Sequence, residues 1–190
     1  MPSWDNIFES LGTKKLQLVQ MSSKEAPLAF SFEVDPDSCG NPDYFSQYIR
    51  LCAITDHKCG ISTTHLLIDT EQQKIISFLS LRATSLLIPD DNTPKISIGH
   101  PALEIYQLAV DKKYAHENYG TFMAFYAIYI AEQTLKSYMG IEYVVLCADE
   151  KAVSFYSKDE LKFCELREYY TVPRDGSNSS CTPMFLKLNK

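Results

Sequence analysis

Residues 103–136 read LEIYQLAVDKKYAHENYGTFMAFYAIYIAEQTLK, and the fold turns on how this stretch is parsed. Up to Tyr114 it has the composition of a strand, residues 115–120 (AHENYG) that of a short turn, and the remainder that of a long apolar helix. A strand, a loop and a helix N-terminus in this order bring unpaired backbone N–H groups and the positive end of the helix dipole to one place. Such a cradle suits an anion. A phosphate-bearing ligand is therefore the first functional expectation.

Working outward toward the C-terminus, the helix is expected over Tyr119 to Met139, stopped by Gly140, and so apolar that it must pack against a sheet and something else. A continuous apolar strand follows at Glu142 to Cys147, then an amphipathic helix from near Asp149, then a terminal pair around Leu161 to Leu166 and Met184 to Leu188. Toward the N-terminus, a strand is expected near Lys15 to Met21, followed by a loop with some helical content. Asn41 can cap a helix starting at Pro42 and ending near Gly60, with Tyr44, Phe45, Tyr48, Ile49, Cys52 and Ala53 on its buried face. His65 to Asp69 and Lys74 to Leu81 suggest an antiparallel hairpin, and IPDDNTPKISIGHP (88–101), with its three prolines, an exposed excursion. This order describes a mixed α/β domain on one central sheet.

With 190 residues and 45% hydrophobic content the chain can bury one sizeable core, which predicts a single domain over residues 1–190. No apolar run reaches the roughly 18 uncharged residues of a membrane helix, and the N-terminus lacks a basic start followed by an apolar core. Cytoplasmic residence without membrane contact is the resulting expectation. A formal charge of −6 works against phosphate-backbone binding, so a nucleic-acid partner is disfavoured. The six cysteines form no CxxC pair and read as scattered reduced thiols. Cys52, His57, Cys59 and His65 lie close in sequence, but a helix and a strand would face them apart, so no metal is expected.

Over roughly Thr63 to Lys190 the chain resembles the GNAT superfamily of N-acetyltransferases. Leu108, Ala109 and Val110 match the family's apolar triplet, and Ala152, Phe155, Tyr156 and Lys158 match its A-x-x-F-Y-x-K helix. The loop departs from the pattern. Ala115 stands where Gln or Arg is usual, Asn118 replaces the first glycine and only Gly120 is kept, while Leu161 and Phe163 flank the place of the family's G-F pair. The resemblance implies an α/β fold, with a mixed central sheet of about six or seven strands flanked by about four helices. It also implies acetyl-CoA as co-substrate and direct transfer of its acetyl group to a primary amine of a small molecule or protein.

On that resemblance, Leu108, Ala109 and Val110 border the pantetheine arm, and Ala115, His116, Asn118, Tyr119, Gly120 and Thr121 hold the pyrophosphate. Main-chain N–H groups do most of this work, and Asn tolerates the left-handed region better than most residues, so Asn118 can preserve the turn. His116 is either a further phosphate donor or an ordinary solvent-facing histidine. Gly120 serves phosphate approach or close helix–sheet packing. Tyr156 is placed to protonate the departing thiolate, or is a core tyrosine; Glu104 accepts the amine's proton, or is a solvated strand-end carboxylate. Asp149 reads as a helix cap.

The stretches CGNPDYFSQYI, STTHLLID and IISFLSL also look like the acetyltransferase toxins that modify aminoacyl-tRNA, an alternative at odds with the acidic charge. The eroded loop leaves a third reading open, a catalytically weak module that binds acyl-CoA or a protein. A homodimer is compatible with each.

Overall fold

The structure is a computed structural model that describes residues 15–90, 97–166 and 181–188. Its strands are β1 (Leu16–Gln20), β2 (Thr63–Asp69), β3 (Lys74–Pro89), β4 (Ser97–Val110), β5 (Tyr143–Ala148), β6 (Cys164–Glu165) and β7 (Thr182–Lys187). They hydrogen-bond in the order β1-β2-β3-β4-β5-β7-β6. β1 runs antiparallel to β2, β4 parallel to β5, and β5 antiparallel to β7, which also pairs antiparallel with β6. The parallel step from β4 to β5 needs a crossover, and the long helical segment supplies it. That segment comprises α3 (Tyr119–Tyr129), a π-helical stretch (Ile130–Leu135) and α4 (Lys136–Tyr138). Seven strands in a mixed sheet agree with the sequence expectation.

The helix before β2 is α1 (Pro42–Gln47), a π-helical stretch (Tyr48–Cys52) and α2 (Ala53–Lys58). Pro42 occupies its first position, where a missing N–H costs nothing, and the Asn41 side chain accepts the Tyr44 N–H at 3.2 Å. A short 3₁₀ turn spans Ala26–Ser31, and α5 (Val153–Tyr156) follows β5.

Two departures from the sequence reading stand out. β3 continues to Pro89 and β4 begins at Ser97, so the described part of the expected excursion is strand except at Asp90; residues 91–96 lie outside the described residues. Proline removes only a donor: Pro89 ends β3, and Pro101 still accepts the Glu142 N–H at 2.9 Å. Cys147 and Cys181 form a disulfide across 34 residues of sequence, which corrects the expectation of scattered reduced thiols at this pair. Only the β5–β7 pairing brings them together. Cys39, Cys52, Cys59 and Cys164 take no part in the disulfide.

The chain divides into two compact units. Of the described residues, the first holds 15–37, 41–80 and Gln107–Ala124; the second holds Ser38–Gly40, those between Leu81 and Tyr106, and those from Phe125 onward. In the first, Phe78 meets Phe32 edge-on at 5.4 Å and stacks with Tyr48 at 6.0 Å, and Ile49, Leu66 and Met123 are fully buried as well. Burying each such side chain contributes about 1.5–3 kcal/mol. Hydroxyls within this core pair with one another, Thr64 with Ser80 at 2.7 Å and Tyr48 with Ser62 at 3.0 Å, as buried polar atoms must. In the second, Leu86, Ala102, Tyr143 and Val145 form a buried cluster flanked by Ile88, Leu166 and Phe185.

Candidate functional site

The residues singled out from sequence fall into two groups, one in each unit. Leu108, Ala109 and Val110 end β4, and Ala115 to Thr121 form the loop and first turn of α3, all within the first unit. The end of β4 is fixed by Asp111, a residue the sequence reading passed over. Although charged, it is only 4% exposed, and its carboxylate accepts the Glu33 N–H at 3.1 Å and the Lys113 N–H at 3.0 Å. Its own N–H donates to the Ile76 C=O at 2.8 Å. Lys112 adds an ion pair to Glu33 and a backbone bond to the Glu33 C=O at 2.7 Å. Beside these, Gln107 donates to the Tyr44 hydroxyl at 3.0 Å.

Two tyrosines bracket the loop. Tyr114 is buried, donates its hydroxyl to Gln72 Oε1 at 3.2 Å, and meets Tyr119 edge-on at 6.2 Å. Between them His116, Glu117 and Asn118 are exposed. His116 (φ 66°) and Asn118 (φ 63°) both take the left-handed conformation that glycine would adopt freely. Gly120, by contrast, is helical, within the first turn of α3. The first bond of that helix runs from the Phe122 N–H to the Asn118 C=O at 3.0 Å, leaving the Gly120 and Thr121 amides without an acceptor inside the helix. A left-handed residue followed by a right-handed one curls successive amides around one concavity, the backbone form of an anion nest.

Tyr156 and Glu104 belong to the second unit. Tyr156 is 7% exposed, with its ring against Phe155 at 4.8 Å and Phe163 at 5.6 Å. Its hydroxyl has no hydrogen-bond partner among the described residues, and burial pushes the phenol far above its ordinary value, so it keeps its proton. Glu104 is not the solvated carboxylate that the strand-end reading suggested. It is 6% exposed, and Arg82 grips it from both sides, Nε to Oε2 at 2.7 Å and Nη2 to Oε1 at 3.1 Å. The guanidinium also lies over the Tyr106 ring, 4.0 Å from its centroid.

Arg82 was missed from sequence, yet a signal existed. A lone arginine in the apolar run IISFLSLRATSLLI needs a buried partner, and Glu104 is the carboxylate of the next strand. Asp149 caps the turn after β5 as expected, accepting the Lys151 N–H at 3.1 Å. Among the described residues no group of three or more His, Cys, Asp or Glu side chains is arranged to hold a metal, and no helix is long and apolar enough to cross a membrane.

No protein-family model and no curated protein matches the sequence. Solved structures do match in shape. An AtaT toxin carrying a tyrosine-to-phenylalanine mutation superposes with a TM-score of 0.68 at 16% identity, over 90% of this chain and 89% of that one. AtaT complexed with acetyl-methionyl-tRNAfMet gives 0.64 at 16% identity, over 91% and 95% of the two chains. AtaTR bound with AcCoA gives 0.60 at 18% identity, over 90% and 92%. Likeness at these identities speaks for the fold, and it spans nearly the whole of each partner. This chain has the fold of the GNAT acetyltransferases.

Proposed function

We propose that the chain is an acetyl-CoA-dependent N-acetyltransferase that passes the acetyl group directly to a primary amine. The observation that carries this reading is the loop after β4, where His116 and Asn118 take left-handed conformations although neither is glycine. Residues other than glycine hold such conformations at a cost that the surrounding structure must offset, and anion binding is a reason to retain them. The residues present suit a pyrophosphate. Backbone amides at Asn118 to Thr121 supply the donors, the helix dipole of α3 supplies positive potential, and exposed His116 adds a side-chain donor. Leu108, Ala109 and Val110 offer the strand end along which the pantetheine arm lies, and backbone near Leu108 supplies the N–H that polarises the thioester carbonyl.

The bond-making step joins the amine nitrogen to the acetyl carbon while the carbon–sulfur bond breaks. Tyr156 gives its hydroxyl proton to the departing sulfur. Glu104 accepts a hydrogen bond from the incoming amine, directly or through water, with a lone pair that Arg82 leaves unused. The amine's surplus proton leaves by that route to solvent, which returns one to Tyr156. The products are the acetylated amine and the free thiol.

A second reading concerns the acceptor: the α-amine of an aminoacyl-tRNA, favoured by the likeness to AtaT complexed with acetyl-methionyl-tRNAfMet. Calorimetric titration with acetyl-CoA tests the donor half, and absence of heat at millimolar ligand sinks the reading. Thiol release over polyamines, amino acids, peptides and aminoacylated total tRNA then separates the acceptors. A rate confined to the charged tRNA selects the second reading, and one confined to free amines removes it.

A further inference from the structure

The Asp149 carboxylate does more than start a helix. Its Oδ1 accepts both the Lys151 N–H (3.1 Å) and the Gly40 N–H (3.0 Å), and its Oδ2 shares the Gly40 N–H at 3.0 Å. Its backbone C=O accepts the Ala152 N–H at 2.8 Å, and this turn runs straight into α5, whose last residue is Tyr156. A helix of four residues cannot sustain itself, because nucleation is costly and one turn returns too few bonds. Its geometry is therefore set at its ends, by Asp149 in front and by the Phe163 N–H on the Tyr156 C=O (3.1 Å) behind. The Tyr156 hydroxyl has no partner of its own among the described residues, so the backbone of α5 and the ring packing alone aim it.

Gly40 is fitted to the carboxylate. A Cβ at this position would stand 2.9 Å from Asp149 Oδ2, closer than real Cβ atoms approach. Gly40 is not among the residues with positive φ, so the demand for glycine comes from the carboxylate and not from the backbone. Ser38–Gly40 accordingly groups with the second unit, to which Asp149 and Tyr156 belong, while its neighbours Asp37 and Asn41 group with the first.

We propose that Asp149, clamped by the Gly40 N–H, is a positioning residue that sets where the Tyr156 hydroxyl stands, an inference that rests on the acetyltransferase reading above. The test measures thiol release from acetyl-CoA with whichever amine of the panel reacts fastest. Asp149→Ala is expected to lower kcat about 10- to 100-fold, the scale of a slightly misplaced catalytic group, with acetyl-CoA affinity held within about twofold. Gly40→Ala should act in the same direction. Asp149→Asn keeps an acceptor oxygen of equal capping strength and should restore most of the rate.

The discriminating variant is the double one. In a Tyr156→Phe background, Asp149→Ala should change kcat by less than about twofold, because the hydroxyl it aims is gone. An equal loss in both backgrounds marks a merely structural role and overturns the proposal. Amide exchange followed by NMR keeps the two readings apart. Loss of protection at the Gly40 and Ser157 N–H groups in Asp149→Ala supports the clamp whether or not acetyl transfer is detected, and unchanged protection at both overturns it. A wild type that binds no acetyl-CoA instead overturns the acetyltransferase reading and the role of Tyr156 with it.

Discussion

The loop at 115–118 and the segment from Asp149 to Phe163 face the same problem, holding polar groups at fixed points, and they meet it by opposite means. The loop works through its main chain: it keeps its shape with two left-handed residues, neither of them glycine, between a pair of buried tyrosines. The segment works through one side chain, a tyrosine whose ring is packed and whose hydroxyl is left without a partner among the described residues. Every residue but proline carries an N–H, so a main-chain site survives sequence change as long as φ and ψ survive. A side-chain site has no such latitude. On the proposed reading, the loop therefore tolerates substitutions that keep its backbone shape, while Tyr156 tolerates none that removes its hydroxyl.

The largest effect that would sharpen this contrast is the loss of the Tyr156 hydroxyl. Tyr156→Phe keeps the ring contacts and is expected to lower kcat by about 10² to 10⁴, the usual range for a general acid, while leaving acetyl-CoA affinity intact. Steady-state kinetics beside calorimetry checks this, and an unchanged kcat breaks the comparison at its side-chain end. Next comes the buried ion pair. Arg82→Ala leaves Glu104 buried without its partner and should destabilise by about 3–5 kcal/mol in urea unfolding, whereas Arg82→Met with Glu104→Leu should come close to neutral. If both variants unfold alike, the cost lies in lost packing and not in a stranded charge.

At the main-chain end the effects are smaller. Asn118→Gly supplies the same left-handed conformation and should alter neither stability nor acetyl-CoA affinity by more than about 0.5 kcal/mol, while Asn118→Val, β-branched and strained there, should cost about 1–3 kcal/mol. Equal behaviour of the two would mean that side-chain identity at this position, and not φ, carries the loop. The smallest effect is a titration. Burial holds the His65 imidazole below its ordinary value of 6.5, so the folded state prefers the neutral ring. The associated stability is present above pH 6.5 and is lost as pH falls through the lowered folded value. His65→Phe should flatten that acid limb in thermal melts, and an unaltered slope would assign it to other groups.

Much of this was legible in advance wherever the signal was local. The Asn41–Pro42 start of α1, the cap at Asp149 and the apolar strand β5 each rest on residue types whose effect extends over one or two turns. The left-handed tolerance of Asn118 belonged to the same class; that His116 would share it did not, since histidine announces no such preference strongly enough. The segment 88–101 misled because its prolines advertise breaks, while the strands there need only their remaining carbonyls. Asp111, beside two lysines, carries no local sign of burial, and only the chain around Glu33 and Ile76 makes it buried.

The sequence by itself determined the order of most strands and helices and the strand–loop–helix at residues 103–136, because periodicity, caps and apolar runs act over short distances. The tertiary structure decided the rest. It joined Cys147 to Cys181, buried Glu104 against Arg82, and set Gly40 on the carboxylate of Asp149, partners 34, 22 and 109 residues apart. Such pairs depend on which strands and loops meet across long separations, and the cost of closing those loops is repaid only by the whole core, which no local stretch of sequence encodes.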